Sequence, residues 1–420
     1  MQKFASKIAA AAVAASLAVP ALAAENQLDL RVSLILEGIY FNELRHGNAS
    51  PAGFGGGHHH HHGHGHGHGH SHSHGHDHSH GLEEGFSLGH SELSFEASLG
   101  ELLDGFLMLG FDRHHIEVEE AYLTTRSLPA GFQLKGGQFL SGIGYINSRH
   151  SHDWDFVDRP LVNEYLFGDH GLQETGLQAT WLAPSDTYTL VGVELLQGAG
   201  DRFDRFDEGR VDQKSGPRLT TAFLKVGPDW GADHAAQFGL SAGYARQYVV
   251  FDDHGNHAHS KEGDSWFAGA DAVYKYSAGR SHGHGDVRIA AEYYYVSRSL
   301  THYRQGHDDS WSQRNSDTEK QDGFYVEAVY GVAPRWELGA RAEALGITNE
   351  MLTGHFNRIH SLDTSYRYSG QITFRPAEPI FLRAQINHND FADRHGHSDE
   401  GWGLMLQVNV ALGAHGAHTF

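Results

Sequence analysis

A two-residue period restricts this chain more than any other feature. Along 402–412, Trp402, Leu404, Leu406, Val408, Val410 and Leu412 alternate with Gly403, Met405, Gln407, Asn409 and Ala411. Along 380–387, Ile380, Leu382, Ala384 and Ile386 oppose Phe381, Arg383, Gln385 and Asn387. The stretch 336–344 sets Trp336, Leu338, Ala340, Ala342 and Ala344 against Glu337, Gly339, Arg341 and Glu343, and 266–275 does the same around Trp266, Ala268, Ala270, Ala272 and Tyr274. Successive side chains of a strand point to opposite faces, so each stretch reads as a strand with one apolar face and one charged face. A soluble β-sandwich would bury its apolar faces in a shared core. Here those faces are rich in alanine, and Trp181, Trp266, Tyr274, Tyr276, Trp336 and Trp402 recur at strand ends, as the aromatic girdles of a lipid-facing band do.

Composition narrows the choice further. The chain has 420 residues with a formal net charge of −21, 52 glycines and no cysteine, and its mean hydropathy is −0.46. The lack of cysteine excludes a disulfide framework and thiolate-bound zinc. The N-terminus runs from Met1-Gln2-Lys3-Phe4-Ala5-Ser6-Lys7 through an apolar stretch Ile8 to Val19 and on to Pro20-Ala21-Leu22-Ala23-Ala24. That is the basic start, short hydrophobic core and small-residue cleavage site of a signal peptide, expected over 1–23. After it, no apolar run reaches the ~18 residues of a membrane helix. The expected fold class is therefore all-β: a transmembrane antiparallel β-barrel of about 16 strands over 24–420, without a plug domain, in the outer membrane of a Gram-negative bacterium.

The candidate strands are about 28–40, 85–99, 104–112, 115–125, 131–140, 172–182, 187–197, 217–227, 235–250, 264–277, 286–300, 322–332, 335–346, 364–375, 379–390 and 399–412. If the first rises from the periplasm, every second connection is short, as at Gly100–Leu103, Ala333-Pro334 and Pro376–Glu378. The others are mostly long: 41–84, 141–171, 198–216, 251–263, 301–321, 347–363 and 391–398. Short inner turns and long outer loops are the pattern of outer-membrane barrels, and an even strand number returns the C-terminus to the periplasm.

The chemistry concentrates in histidine. The 42–84 segment is expected as an extracellular loop, and within it stand His58, His59, His60, His61, His62, His64, His66, His68, His70, His72, His74, His76, His78 and His80. Alternating imidazoles on a flexible chain can converge on one ion, which points to Zn²⁺, Ni²⁺, Cu²⁺ or Co²⁺ bound as cargo, with no obligatory cofactor. An expression tag would not be internal, interrupted by Ser and Asp, and accompanied by an intact leader. Further histidines fall in or beside the outer loops, among them His46, His170, His302, His360, His395 and His397. Of these outer-loop residues His150, His152, Asp153, Asp155, His254, His257 and His259 are candidate metal contacts. The 141–171 loop carries Tyr145, Trp154, Phe156, Tyr165 and Phe167, apolar enough to fold into the lumen as a constriction or to pack on the barrel rim.

Enzyme signatures are weak, and an enzyme is not expected. Gly279-Arg280-Ser281-His282-Gly283 fits G-x-S-x-G but lies in a polar turn, where no strand-to-helix elbow forms. The acidic balance argues against nucleic acid as a partner. Outer-membrane lipid and divalent metal ions are the partners the sequence favours.

One stretch is more specific: Leu134-Lys135-Gly136-Gly137-Gln138-Phe139, Gly142-Ile143-Gly144-Tyr145-Ile146-Asn147, His150-Ser151-His152-Asp153-Trp154-Asp155-Phe156-Val157-Asp158, Pro160-Leu161-Val162 and Gly176-Leu177-Gln178-Ala179-Thr180-Trp181. With Ser33-Leu34-Ile35-Leu36-Glu37-Gly38 and Phe86-Ser87-Leu88-Gly89-His90-Ser91-Glu92-Leu93, it resembles the porin-like barrels labelled zinc-regulated outer-membrane receptors, and more distantly the phosphate-selective porin O/P superfamily. The resemblance implies a sixteen-stranded porin-type barrel, often a homotrimer, linked to zinc supply. Phosphate-selective porins use ladders of basic residues, from which this acidic chain departs. Phe420 resembles the terminal aromatic recognised by the barrel-assembly machinery. The expected function is a channel whose histidine-rich loop binds Zn²⁺ or a similar ion and promotes its uptake into the periplasm. The alternatives are a surface metal-buffering or adhesion barrel without transport, and a TonB-dependent-type receptor. The last would need a plug and a wider barrel, and the first strand is expected to begin too close to the leader to leave room for one.

Overall fold

The computed structural model describes residues 28–48, 50–54, 84–113, 115–200, 202–253, 258–306, 308, 310–353 and 358–413. The expected leader, the histidines of 58–80, His254 and His257 lie outside the described residues.

Eighteen strand segments form a single antiparallel sheet closed by pairing of β1 with β18. In chain order they are β1 (Leu28–Arg45), β2 (Gly85–Leu88), β3 (Ser91–Leu99), β4 (Leu103–Phe111), β5 (Ile116–Thr125), β6 (Phe132–Leu140), β7 (Gln173–Leu182), β8 (Tyr188–Leu196) and β9 (Leu219–Gly227), followed by β10 (His234–Asp253), β11 (Ala258–Tyr276), β12 (Val287–Gln305), β13 (Trp311–Ala333), β14 (Trp336–Thr353), β15 (Arg358–Ser361), β16 (Ser365–Ala377), β17 (Ile380–Ala392) and β18 (Ser398–Gly413). Segments β2 and β3 both pair with β1, and β15 and β16 both pair with β14. Each couple is one barrel strand with a break, so the barrel has sixteen strands. Among the described residues there is no helical plug domain.

The alternation is resolved as an inside-out barrel. Leu240, Leu338, Leu382 and Leu406 lie on the outer face and are exposed, whereas Glu292, Arg341, Arg367 and Gln407 face inward and are buried. Lipid replaces the hydrophobic core as the medium for the apolar side chains, and closure leaves no unpaired edge in it. Aromatic side chains pair across strands on this face, with Trp336 stacked on Phe374 at 4.6 Å and Trp266 beside Tyr295 at 5.6 Å.

The outer connections differ from the expectation. Over 251–263, 301–321 and 347–363 the sequence reading gave long loops, but β10–β15 continue through most of these residues as paired hairpins. Ladder hydrogen bonds persist wherever two strands lie side by side. The period of two vanishes there because both faces of the hairpin meet water, as along Ser312–Thr318.

Residues 141–171 lie inside the barrel. They cross the lumen on hydrogen bonds to its wall: Gly142 N to Glu194 (2.9 Å), Gly144 N to Ser241 (3.0 Å), Ile146 N to Glu292 (2.8 Å), Val157 N to Gln385 (2.7 Å) and Leu161 N to Glu343 (2.6 Å). Gly144 has φ +57°, and a Cβ there would strike the Tyr294 hydroxyl and the Glu292 carboxylate. The segment then forms helix α1 (Leu161–Phe167), which starts after Pro160, ends at Gly168 with φ 105°, and is buried along its whole length. Its Phe167 packs edge-on against Phe267 (5.1 Å) and Tyr294 (4.9 Å), and Phe203 from 197–218 meets Phe267 at 4.9 Å. A hydrophobic core thus fills one side of the lumen.

Candidate functional site

The inserted segment divides the lumen into two chemically opposed sides. On one, β12, β14, β16 and β17 present Arg288, Arg341, Arg367 and Arg383. Asp158 accepts from Arg341 (2.5 Å), Arg367 (2.9 Å), Gln385 (2.6 Å) and Asn387 (2.8 Å). Asp155 accepts from Arg288 at 2.7 Å, and the Trp154 carbonyl from Arg383 at 2.9 Å. Burial would raise the Asp155 carboxyl, but the Arg288 guanidinium holds it below the usual carboxylate range. These arginines are spent on holding the segment.

The other side stays open. A cavity of about 430 Å³ runs between the segment and β1–β5, lined by Glu37, His90, Glu119, His150, Arg159 and Gln173. Two β-bulges shape its wall. Between β4 and β5 the register changes from Met108↔Glu120 to Leu109↔Val118, leaving Glu119 as the extra residue. Glu119 and Glu120, although consecutive, both turn inward and are buried. Opposite β1, the pairs Ile35↔Glu92 and Gly38↔Leu88 leave one residue too many around Gly89 and His90. There the His90 amide donates to Glu37 Oε2 (2.7 Å) and the Glu37 amide to Ser91 Oγ (3.1 Å). Before this bulge the even positions Phe86 and Leu88 face out, and after it Glu92 and Ser94 face in.

The bulges converge four side chains. His90 Nε2 lies 2.8 Å from Glu119 and 3.7 Å from Glu92, and His150 Nδ1 lies 3.7 Å from Glu92 and 3.8 Å from Glu119. One ligand atom from each of the four falls within 4.8 Å of the others. His150 Nε2 is bonded to Glu120 at 2.8 Å, and His152 Nδ1 lies 3.1 Å from Glu92, with the two imidazoles stacked 6.0 Å apart. Burial alone would lower the His150 pKa. The Glu120 bond and the charges of Glu92 and Glu119 outweigh it and push it up to about 9. Two imidazoles and two carboxylates are the donor set that suits a borderline divalent ion such as Zn²⁺.

No family model matches the sequence. An uncharacterized protein of Aquifex aeolicus (strain VF5) is 31% identical over 347 residues, which span 80% of this chain and 71% of that protein. The chain belongs to the family of that Aquifex protein. Solved structures share the fold of this chain. The outer-membrane channel DcaP of Acinetobacter baumannii superposes with a TM-score of 0.57 at 12% identity, covering 92% of this chain and 97% of its own. OmpT of Vibrio cholerae, in its trimer form, gives 0.52 at 12%, covering 92% and 99%. The chain thus has the fold of the porin-type outer-membrane β-barrels.

Within this family member, the residues singled out from sequence are dispersed. His150 is in the cluster, and His152 stands directly behind Glu92. Asp153 lies 3.5 Å from His152 Nε2, and Asp155 is engaged by Arg288 across the lumen. His259 sits on the β11–β12 ladder with its Nδ1 2.9 Å from His302 Nε2, far from the cavity in the chain's topology. Sequence reasoning missed His90, Glu92 and Glu119 as site residues. A usable signal was the adjacent Glu119-Glu120 pair, which breaks the alternation inside an otherwise regular strand.

Proposed function

We propose that this barrel is a porin-type channel that promotes uptake of Zn²⁺, or a similar dication among Ni²⁺, Cu²⁺ and Co²⁺, into the periplasm. The observation that carries the reading is the asymmetry of the lumen. The arginines of one wall are engaged by the inserted segment and by wall carboxylates, while the cavity that remains is lined by Glu37, Asp112, Glu119, Asp158, Glu164 and Asp169 with imidazoles among them, more carboxylates than the guanidinium groups of Arg113, Arg149 and Arg159. A cleft lined by carboxylates concentrates cations and repels anions, and low-dielectric walls strengthen the effect. The histidines of 58–80 supply the second part: an outer collector whose imidazoles would release metal on mild acidification, because protonation of an imidazole displaces the ion. The resemblance to zinc-regulated outer-membrane receptors agrees with this cargo. A homotrimer, the form recorded for OmpT of Vibrio cholerae, is the assembly we assign.

Liposomes carrying the protein and an internal zinc indicator test the proposal. Zn²⁺ should enter faster than phosphate, and at micromolar metal the rate should fall when the histidines of 58–80 are replaced by serine. Phosphate passage without Zn²⁺ passage would refute it. The hydrophobic core inside the lumen favours a second reading, a metal-buffering barrel without transport. That version predicts metal binding with no single-channel current.

A further inference from the structure

The open side of the lumen holds a donor set separate from the outer histidine segment. We infer that His90, Glu92, Glu119 and His150 bind one transition dication of the Zn²⁺ class inside the barrel, where the inserted segment meets the bulged wall. In a tetrahedral site with metal–ligand bonds of about 2.0–2.1 Å, neighbouring donor atoms stand about 3.3–3.4 Å apart. The separations of 2.8 Å from His90 to Glu119 Oε1, 3.7 Å from both His90 and His150 to Glu92 Oε1, and 3.8 Å from His150 to the other Glu119 oxygen bracket that value.

Three further features distinguish this arrangement from ordinary ion pairs. Glu92 and Glu119 are 1% and 3% exposed, and among the described residues their ion pairs run to histidines. Glu92 Oε2 and Glu119 Oε1 have no partner in hydrogen-bonding geometry, even though imidazole nitrogens lie close by. The outer shell is also in place: Glu120 holds His150 Nε2 and so turns Nδ1 toward the carboxylates, and His152 holds Glu92. A carboxylate behind a ligating imidazole fixes its tautomer and strengthens it as a donor. The bulges bring in Glu119 and His90, and Gly110 leaves the space that the Glu119 carboxylate occupies.

This inference deepens the channel reading by giving its ion a resting place, yet binding is independent of passage. The test is calorimetric titration of Zn²⁺ into the folded full-length protein with the histidines of 58–80 replaced by serine, with the visible absorption of bound Co²⁺ as a second readout. One ion per chain should bind at micromolar concentration or below, with the intense absorption of four-coordinate Co²⁺. Glu119→Gln and His90→Ala should each weaken binding at least about tenfold, and Glu120→Gln, which touches only the outer shell, about tenfold. Each variant is first checked for a closed barrel by its resistance to unfolding in detergent. No stoichiometric site, or a site indifferent to both Glu119→Gln and His90→Ala, overturns the inference. Zn²⁺ flux through the same variants separates the two ideas. Binding without flux keeps the site and sinks the channel, and unchanged flux with binding and its variant dependence absent does the reverse.

Discussion

The two walls of the lumen use charge in opposite ways. The arginine wall has a partner for each guanidinium that reaches the inserted segment, and Asp158 alone accepts from two arginines and two amides. The glutamate wall buries carboxylates against imidazoles whose geometry leaves oxygens unsatisfied. A fully paired network fixes position, whereas an incompletely paired one keeps a capacity for a ligand. The segment is therefore anchored at one wall and presents His150 to the other.

Breaking the anchored side should have the largest effect. Asp158→Ala leaves Arg341 and Arg367 buried without their shared acceptor, and removing one member of such a network costs about 3–5 kcal/mol. The expected result is a lower unfolding midpoint in detergent and a noisier, larger single-channel conductance as the segment loosens. Gly144→Ala comes next. Its Cβ would meet the Tyr294 hydroxyl and the Glu292 carboxylate at a positive φ, a strain of about 1–3 kcal/mol that thermal unfolding would register.

On the opposite wall the expected effects are smaller and chemical. Gly110→Ala would drive the Glu119 carboxylate from its place. Metal affinity should fall about tenfold, equivalent to about 1.4 kcal/mol, with the unfolding midpoint little changed. A loss of stability as large as that of Asp158→Ala would erase the contrast between the walls.

Acid provides the finest test. The folded Asp155 carboxyl is held below its ordinary value by Arg288, with Arg375, Arg383 and Glu337 also facing it. A depressed carboxyl contributes its stabilisation above the unfolded value near ~3.9 and loses it as pH falls through the folded value. Trp154 fluorescence should therefore stay constant from pH 7 to pH 5 and change only below about pH 4. A transition near pH 6 would mean that this anchor is not the one that holds the segment.

Much of the fold was legible because the two-residue period reports which side chains meet lipid. Leu382, Ile386, Leu406 and Val408 on one face and Arg383, Gln385 and Gln407 on the other follow it directly. The outer extensions of β12 and β13, over 301–305 and 311–321, escaped because a strand wetted on both sides carries no such period. The site escaped for a different reason. Its residues owe their direction to register shifts, so parity counted along the chain sends either Glu119 or Glu120 outward. His150 and His152 were legible as chemistry, but their partners lie about 30 to 60 residues away on β3 and β5, which the segment meets only by folding back into the lumen.

The bulge at Glu119 also makes the site unusually sensitive to the length of its gene. Deleting that one codon would restore an unbroken β4–β5 ladder and remove a metal donor while barely changing composition. Duplicating it would push the following residues of β5 half a pleat out of phase, so that side chains meant for water would be offered to lipid. Family members that keep the cavity should therefore vary in which acid or imidazole they place at this position far more readily than in the number of residues around it.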